Sequence, residues 1–254
     1  MSPRIGVYDS GIGGLTTLAL LQAKLPGCGW LYFADNARMP FGSKSRAEVL
    51  EAAANALNIL RNNADEIVFG CNTAGVTLDP DGVFALRPDI NSHPAQSTLV
   101  LATPRTLAGL NARERGFMCA DTAELAVLVE IQLSLRFKSR TSLTCAPLAD
   151  YLDDRLSRYR DRAKTVLLGC SHYIYAEREI RGIIGDAEYL DGNAPLAEKL
   201  CAALYEKYGT SPFLPACGTE TKFIFTGGDE SAKYRWILAK LREEYVPRFL
   251  KNGV

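Results

Sequence analysis

Short apolar runs alternate with longer amphipathic stretches over the first 70 residues of the chain. The runs lie at 5–8, 31–34 and 66–70, and helical patterns that start near Leu15 and Arg46 separate them. Apolar strands joined by helices are typical of a parallel sheet covered by helices on both faces. The pattern therefore predicts a β-α-β-α-β unit.

A second series of the same kind follows a stretch at 79–96 that is rich in Pro, Asp, Gly and Asn. We interpret that stretch as a crossing between two domains. The strands predicted for the second series are 97–103, 142–146, 165–169 and 187–191, and the helices are one near 120–136 and one from about Leu148. The repetition predicts a second α/β unit.

The tail adds one more apolar run, 222–226, and a helical amphipathic pattern over 231–245. We expect the tail to return to the first unit. The predicted fold class is α/β, with two domains of mostly parallel strands, each sheet covered by helices on both faces in three layers. The predicted first domain comprises 1–96 plus 208–254, and the second comprises 97–207.

Composition favours a protein that acts on a small molecule. Lysines and arginines number 29, as do aspartates and glutamates, so no net positive field would attract nucleic acid or an anionic membrane. The first residues, MSPRIGVYDSG, fit neither a signal peptide nor a membrane span. We expect no nucleic-acid or membrane partner and a cytoplasmic location.

Two of the seven cysteines occur in matching contexts. The segment IVFGCNTA at 67–74 and the segment VLLGCSHY at 166–173 each read as a strand, a glycine, a cysteine and polar residues. Ligands in open α/β sheets bind beyond the carboxyl ends of the strands. Cys71 and Cys170 are therefore expected on facing walls of one cleft.

The other cysteines are better explained as small buried side chains, and burial also remains an alternative for either cysteine of the pair. These are Cys28, Cys119, Cys145, Cys201 and Cys217. The spacing of the seven does not match a disulfide framework or a zinc site, although Asp9 could complete a metal site with Cys71, Cys170 and His172. We expect reduced thiols and no metal.

Two opposed thiols suit inversion at a carbon that bears an acidic hydrogen. One thiolate removes the proton and the other thiol delivers one to the opposite face, and thiols can be tuned to ionise near neutral pH. A carboxylate beside a thiol can accept its proton or keep it protonated, whereas an imidazole can hold a thiolate as an ion pair. Asp9 and His172 are the local candidates.

The first predicted turn, Asp9 to Gly14, is rich in glycine and could direct backbone N–H groups at an anion. Its spacing is not the dinucleotide-binding fingerprint, and a carboxylate fits better than a pyrophosphate. A tight strand-to-helix turn without any ligand remains the alternative.

In these motifs the chain resembles the glutamate racemases of the wider aspartate/glutamate racemase group. The similar segments are IGVYDSGIGGL, YFADNARMPFGSKS, GCNTA, LGCSHY and FIFTGGD, in that order and nearly end to end. The resemblance implies two pseudo-symmetric three-layer α/β domains with the active site in the cleft between them. It also implies interconversion of L- and D-glutamate for peptidoglycan by a homodimer that uses neither pyridoxal phosphate nor metal.

The resemblance also implies roles for individual residues. Cys71 and Cys170 would be the two acid/base thiols, Asp9 would assist the first, and His172 would assist the second together with a carboxylate that ungapped counting places at Asp153. Substrate contacts would come from Asp9, Ser10, Pro40, Phe41, Gly42, Asn72, Thr73, Ser171 and His172.

Three residues depart from the family pattern. Phe41 stands where the family usually has tyrosine, Ser171 where it has threonine, and Asp153 where it has glutamate. The stretch after Cys71 is also shorter and lacks the family's Glu-Pro-containing loop. These departures leave two alternatives open: a racemase of aspartate or another small amino acid, and a racemase-like protein that binds a carboxylate without turnover.

Overall fold

The computed structural model describes residues 2–139, 146–214 and 220–250. The strands in these ranges are β1 (Arg4–Asp9), β2 (Gly29–Ala34), β3 (Glu66–Phe69), β4 (Val83–Ala85), β5 (Thr98–Ala102), β6 (Met118–Asp121), β7 (Thr165–Gly169), β8 (Glu188–Leu190) and β9 (Thr221–Phe225). The helices are α1 (Leu15–Lys24), α2 (Arg46–Arg61), α3 (Asn72–Thr77), α4 (Pro104–Gly109), α5 (Leu125–Ser139), α6 (Ala146–Leu156), α7 (Glu177–Ile184), α8 (Asn193–Tyr208), α9 (Ser231–Glu244) and α10 (Pro247–Leu250).

The strands form two parallel sheets. The first has the order β4-β3-β1-β2-β9 and the second has the order β6-β5-β7-β8. The strands that precede Cys71 and Cys170, β3 and β7, both have a neighbour on each side. The predicted fold class of two α/β units with parallel sheets is confirmed.

Both faces of each sheet are buried, as parallel sheets require. In β1, Val7 and Tyr8 point to different core clusters on opposite faces. One of these clusters extends through both units and includes Leu18 of α1, Leu99 of β5 and Val166 of β7. Because one apolar interior supports both sheets, it also supports the ends of β3 and β7 that carry the two cysteines.

Helix caps fix the starts of α2 and α4. Ser45 accepts a hydrogen bond from the Glu48 backbone N–H and the Glu48 carboxylate accepts one from the Ser45 N–H, which fixes the start of α2. Thr103 caps α4 by accepting from the Thr106 N–H, and Pro104 occupies the first helical position. The residues before both helices are therefore held in place.

The structure contains two strands, β6 and β4, that the sequence pattern did not predict. The helix predicted near 120–136 begins only at Leu125, because Met118–Asp121 forms β6, a short edge strand whose apolar pattern is weak. The predicted crossing at 79–96 contains β4. The predicted strand 142–146 lies outside the described residues except for Ala146, which begins α6.

The exact domain boundaries stay a prediction. Helix α8 lies within the range predicted for the second domain, yet its Asn193 accepts a hydrogen bond from Thr17 of α1 at 2.6 Å. Helix α9 also packs against α1. In the described part of the chain, no helix has the length and apolar character needed to cross a membrane.

Candidate active site

The first cysteine lies at a tight turn between β3 and α3. Gly70 favours this close approach, because a Cβ at its position would lie only 3.0 Å from the Cα of Gly14. Cys71 follows as the N-cap residue of α3 and is buried. The turn therefore brings the thiol against the loop that follows β1.

The second cysteine has the same local plan. Gly169 ends β7, and a Cβ there would lie 2.8 Å from the Ala102 side chain. Cys170 follows and is buried, and a 3-10 turn then begins at Tyr173. The long-range sequence echo thus corresponds to two equivalent turns at the carboxyl ends of two strands.

Asp9 connects the two units. Its Oδ1 accepts a hydrogen bond from the Gly11 N–H at 2.8 Å, and its Oδ2 accepts one from the Ser171 hydroxyl at 2.9 Å. Burial raises the pKa of Asp9, although the positive charge of His172 and these two hydrogen bonds oppose the rise. The predicted first turn therefore contacts the second cysteine motif directly.

The surroundings of Cys71 favour its protonated form. Burial raises the pKa of the thiol, and the negative charge of Asp9 raises it further. The Sγ lies 4.0 Å from the Ser10 hydroxyl oxygen, to which it donates a weak hydrogen bond. Asp9 acts on Cys71 through its charge, since its hydrogen bonds go to Gly11 and Ser171.

The surroundings of Cys170 are of the opposite sign. Its Sγ lies 3.9 Å from Nδ1 of His172, and the other ring nitrogen, Nε2, lies 3.2 Å from Oε1 of Glu130. Burial alone would lower the pKa of His172, but the contacts with Cys170 and Glu130 raise it well above its ordinary value. An imidazolium beside a sulfur favours the thiolate.

The carboxylate at His172 is Glu130, a residue that the motif analysis missed. Asp153, predicted for this role, is exposed on α6. None of the hydrogen bonds or ion pairs described for residues 2–139, 146–214 and 220–250 joins it to Cys170 or His172. The signal for Glu130 was present, since it is the one acidic residue in the apolar stretch Leu125–Leu133.

The predicted Pro40-Phe41-Gly42 loop lies against the second unit. Phe41 is buried and its ring lies 6.3 Å from that of Tyr8. A Cβ at Gly42 would lie 2.6 Å from Cγ2 of Thr103, so only glycine allows this approach.

Asn72 is buried, and neither atom of its amide group has a hydrogen-bond partner among the described residues. An unpaired buried amide is costly, so this side chain is suited to meet a polar ligand. The neighbouring Thr73 hydroxyl lies 3.2 Å from those of Thr103 and Thr106, which the sequence reasoning did not include.

The structure thus brings together most of the predicted site: Asp9, Ser10, Cys71, Cys170, Ser171 and His172 around the sulfurs, with Asn72 and Thr73 beside Cys71, and with Phe41 and Gly42 facing Thr103. Pro40 is the half-buried start of the same loop. In the described ranges, no group of three or more His, Cys, Asp or Glu side chains is arranged to hold a metal ion.

Known proteins with similar sequences are glutamate racemases. The chain is 32% identical over 213 residues to the glutamate racemase of Halothermothrix orenii, covering 75% of this chain and 80% of that protein. It is 29% identical over 243 residues to the glutamate racemase of Campylobacter concisus, covering 88% and 90%. No family model matches.

Solved structures of glutamate racemases have a fold similar to that of this chain. The glutamate racemase of Thermus thermophilus in complex with β-chloro-D-alanine has a TM-score of 0.73 and 26% identity, covering 96% of this chain and 93% of that one. Escherichia coli glutamate racemase, in complex with L-glutamate and the activator UDP-MurNAc-ala, has a TM-score of 0.74 at 21% identity, covering 94% and 95%. The second likeness concerns the fold alone.

Proposed function

The chain belongs to the glutamate racemase family, and we propose that it interconverts L- and D-glutamate through Cys71 and Cys170, without a cofactor. The observation that carries this proposal is the pair of buried cysteines at equivalent turns of two sheets. The hydrogen bond from Ser171 to Asp9 joins the second of these turns to the first sheet. One site with a thiol on each unit meets the needs of an inversion.

The resting charges differ between the two sulfurs. Cys71 is a thiol, because burial and the charge of Asp9 raise its pKa. Cys170 lies 3.9 Å from His172, whose pKa is raised, and an imidazolium there can hold a thiolate as an ion pair. The site therefore holds one base and one acid, which is the pairing that general acid-base catalysis requires.

The reaction is a proton exchange at the α-carbon. The Cys170 thiolate takes the α-proton, the C–H electron pair remains on the carbon, and the Cys71 S–H gives its proton to the opposite face. The two sulfurs exchange protonation states in the process. The reverse reaction, or proton exchange with solvent, restores the resting state.

The carbanion needs stabilisation, because the α-hydrogen of an amino acid is much less acidic than a thiol. Preorganised donors around the substrate carboxylate can provide it. The unpaired amide of Asn72 and the hydroxyls of Ser10, Thr73 and Ser171 are the groups we assign to substrate binding. Phe41 and Gly42 close the neighbouring wall.

Membership of the family also supports a physiological proposal. We propose that the chain works as a homodimer in the cytoplasm and supplies D-glutamate for peptidoglycan, and so for cell-wall biogenesis and cell shape.

Proton NMR in deuterated water tests the activity. L-glutamate, D-glutamate and both aspartate enantiomers are each incubated with the protein, and chiral chromatography measures the mirror form. We expect loss of the Cα proton signal and appearance of the opposite enantiomer with both forms of glutamate. The double variant Cys71→Ser/Cys170→Ser is the control for a contaminating racemase.

The other outcomes each contradict part of the proposal. Turnover of aspartate in place of glutamate would keep the two-thiol chemistry and change the substrate. Saturable binding of glutamate with no Cα exchange on any amino acid would instead indicate a racemase-like binding protein.

A further inference from the structure

Glu130 is a buried carboxylate in an otherwise apolar part of α5. A buried carboxylate is costly unless other groups pair with it. Its Oε1 accepts a hydrogen bond from the Ile12 backbone N–H at 3.0 Å and lies 3.2 Å from Nε2 of His172. Its Oε2 lies 3.6 Å from Nζ of Lys233. Three groups therefore compensate its charge.

These three groups come from different parts of the fold. Ile12 belongs to the turn after β1, His172 to the turn after β7, and Lys233 to α9. Gly11 makes the arrangement possible, because a Cβ at that position would collide with Oε1 of Glu130. One carboxylate oxygen thus joins the Asp9 turn of the first sheet to the Cys170 turn of the second.

We propose that Glu130 is a positioning residue: it holds His172 as an imidazolium beside Cys170 and ties that state to the first-sheet turn through Ile12. The proposal deepens the proposed function, since it concerns the activation of the second thiol. In this account His172 stays an imidazolium because Glu130 pairs with it, and the Ile12 N–H joins that pair to the first sheet.

The electrostatics agree with this geometry. Burial opposes ionisation of Glu130, but the hydrogen bond and charge of His172, the Ile12 N–H and Lys233 outweigh it and lower the pKa of Glu130. The pKa of His172 is raised in turn, against the effect of burial. The other ionisable groups that act on the Glu130–His172 pair are Asp9, Cys170, Lys233, Tyr32, Tyr175 and Tyr234. Among these, Glu130 is the carboxylate that contacts the imidazole.

The chain offers a direct readout, because it contains only two histidines. NMR of protein labelled with ¹³C and ¹⁵N at histidine follows His172 from pH 5 to 9, and a His93→Gln variant assigns the two signals. We expect His172 to remain an imidazolium at pH 7 in the natural chain. In Glu130→Gln its midpoint should fall by about one pH unit or more, since each unit reflects a loss of about 1.4 kcal/mol of interaction.

Two controls separate positioning from a general structural effect. His93 should titrate identically in both proteins, and Glu124→Gln, which removes a carboxylate paired with Tyr151, should leave His172 unchanged. Glu130→Asp keeps the charge, so the titration midpoint of His172 should fall less than in Glu130→Gln. Amide exchange of Ile12 should accelerate in Glu130→Gln, whereas that of Gly11, which donates to Asp9, should not.

Failure of this proposal is distinguishable from failure of the proposed function, because no readout above uses turnover. A neutral His172 at pH 7 in the natural chain would overturn the proposal, and so would an unchanged midpoint in Glu130→Gln. A shifted midpoint together with no racemisation of any amino acid would leave Glu130 in its role and remove the function. If both hold, the high-pH limb of activity should move to lower pH in Glu130→Gln, because the imidazolium is then lost sooner.

Discussion

The turn that carries Cys71 and the turn that carries Cys170 have the same backbone plan and different charged neighbours. Each has a strand, a glycine in tight contact and a buried cysteine. Asp9 is the charged group that raises the pKa of Cys71 most, whereas Cys170 lies 3.9 Å from the imidazole of His172. The repeated fold places two thiols, and the residues that are not repeated give these thiols surroundings of opposite charge.

Replacing either cysteine should reduce the rate of racemisation more than any other change. We expect Cys71→Ser and Cys170→Ser each to reduce racemisation by about 10⁴-fold, the upper end for loss of an acid-base group, because a serine hydroxyl ionises far less readily than a thiol. Steady-state racemisation assays in both directions measure this. Cys119→Ser, at a buried thiol of the second sheet, is the matched control and should retain activity.

Removing the positive charge of His172 should act most directly on Cys170. His172→Gln keeps a polar side chain and removes the positive charge, so we expect racemisation to fall by about 10²-fold to 10³-fold. The absorbance of the Cys170 thiolate, measured as the difference between the natural chain and Cys170→Ser, should disappear as well. Unchanged absorbance would show that His172 does not maintain the thiolate. His93→Gln serves as the control.

Removing the negative charge of Asp9 should reduce activity through its effect on Cys71. It should also change how the stability of the protein depends on pH. Asp9→Asn can keep both hydrogen bonds, yet it loses the charge, so we expect a decrease in activity of about 10-fold to 10²-fold. Because burial raises the pKa of Asp9, the folded protein holds this proton more tightly than the unfolded chain. Stability therefore decreases as pH rises from about 4, the unfolded value, through the folded pKa.

Asp9→Asn has no carboxyl group at this position, so its stability lacks this decrease with rising pH. Its free energy of unfolding relative to the natural chain should therefore rise with pH over the same interval, as urea titrations from pH 4 to 8 would measure. A variant that is less stable at pH 8 than at pH 4, relative to the natural chain, would contradict the burial cost assigned to Asp9.

The smallest effect is expected at Ser10. Its hydroxyl lies 4.0 Å from the Cys71 sulfur, and a net hydrogen bond of about 1 kcal/mol corresponds to about a five-fold change. Ser10→Ala should therefore reduce kcat/KM by less than about 10-fold. A larger loss, appearing in kcat rather than in KM, would contradict this small effect and give Ser10 a part in the chemistry at Cys71 beyond substrate binding.

Much of the fold and of the sulfur site could be predicted from local pattern. Strands β3 and β7 are continuous apolar runs that end in Gly-Cys, so sequence locates both thiols. Strand β6 was missed because its apolar run, Met118 to Ala120, is too short to distinguish an edge strand from the start of the following helix. The motif counts could not show that Asp153 is exposed while Glu130 reaches His172, since that depends on how α5 and α6 pack.

The most direct test of the two-thiol account is Cα-proton exchange in deuterated water, measured for Cys71→Ser and Cys170→Ser with each enantiomer of glutamate separately. The account predicts that each variant exchanges the α-proton of one enantiomer only, that the two variants differ in which one, and that neither forms the mirror image at an appreciable rate. Exchange of both enantiomers by the same single variant would contradict it, because one thiol would then serve both faces of the substrate.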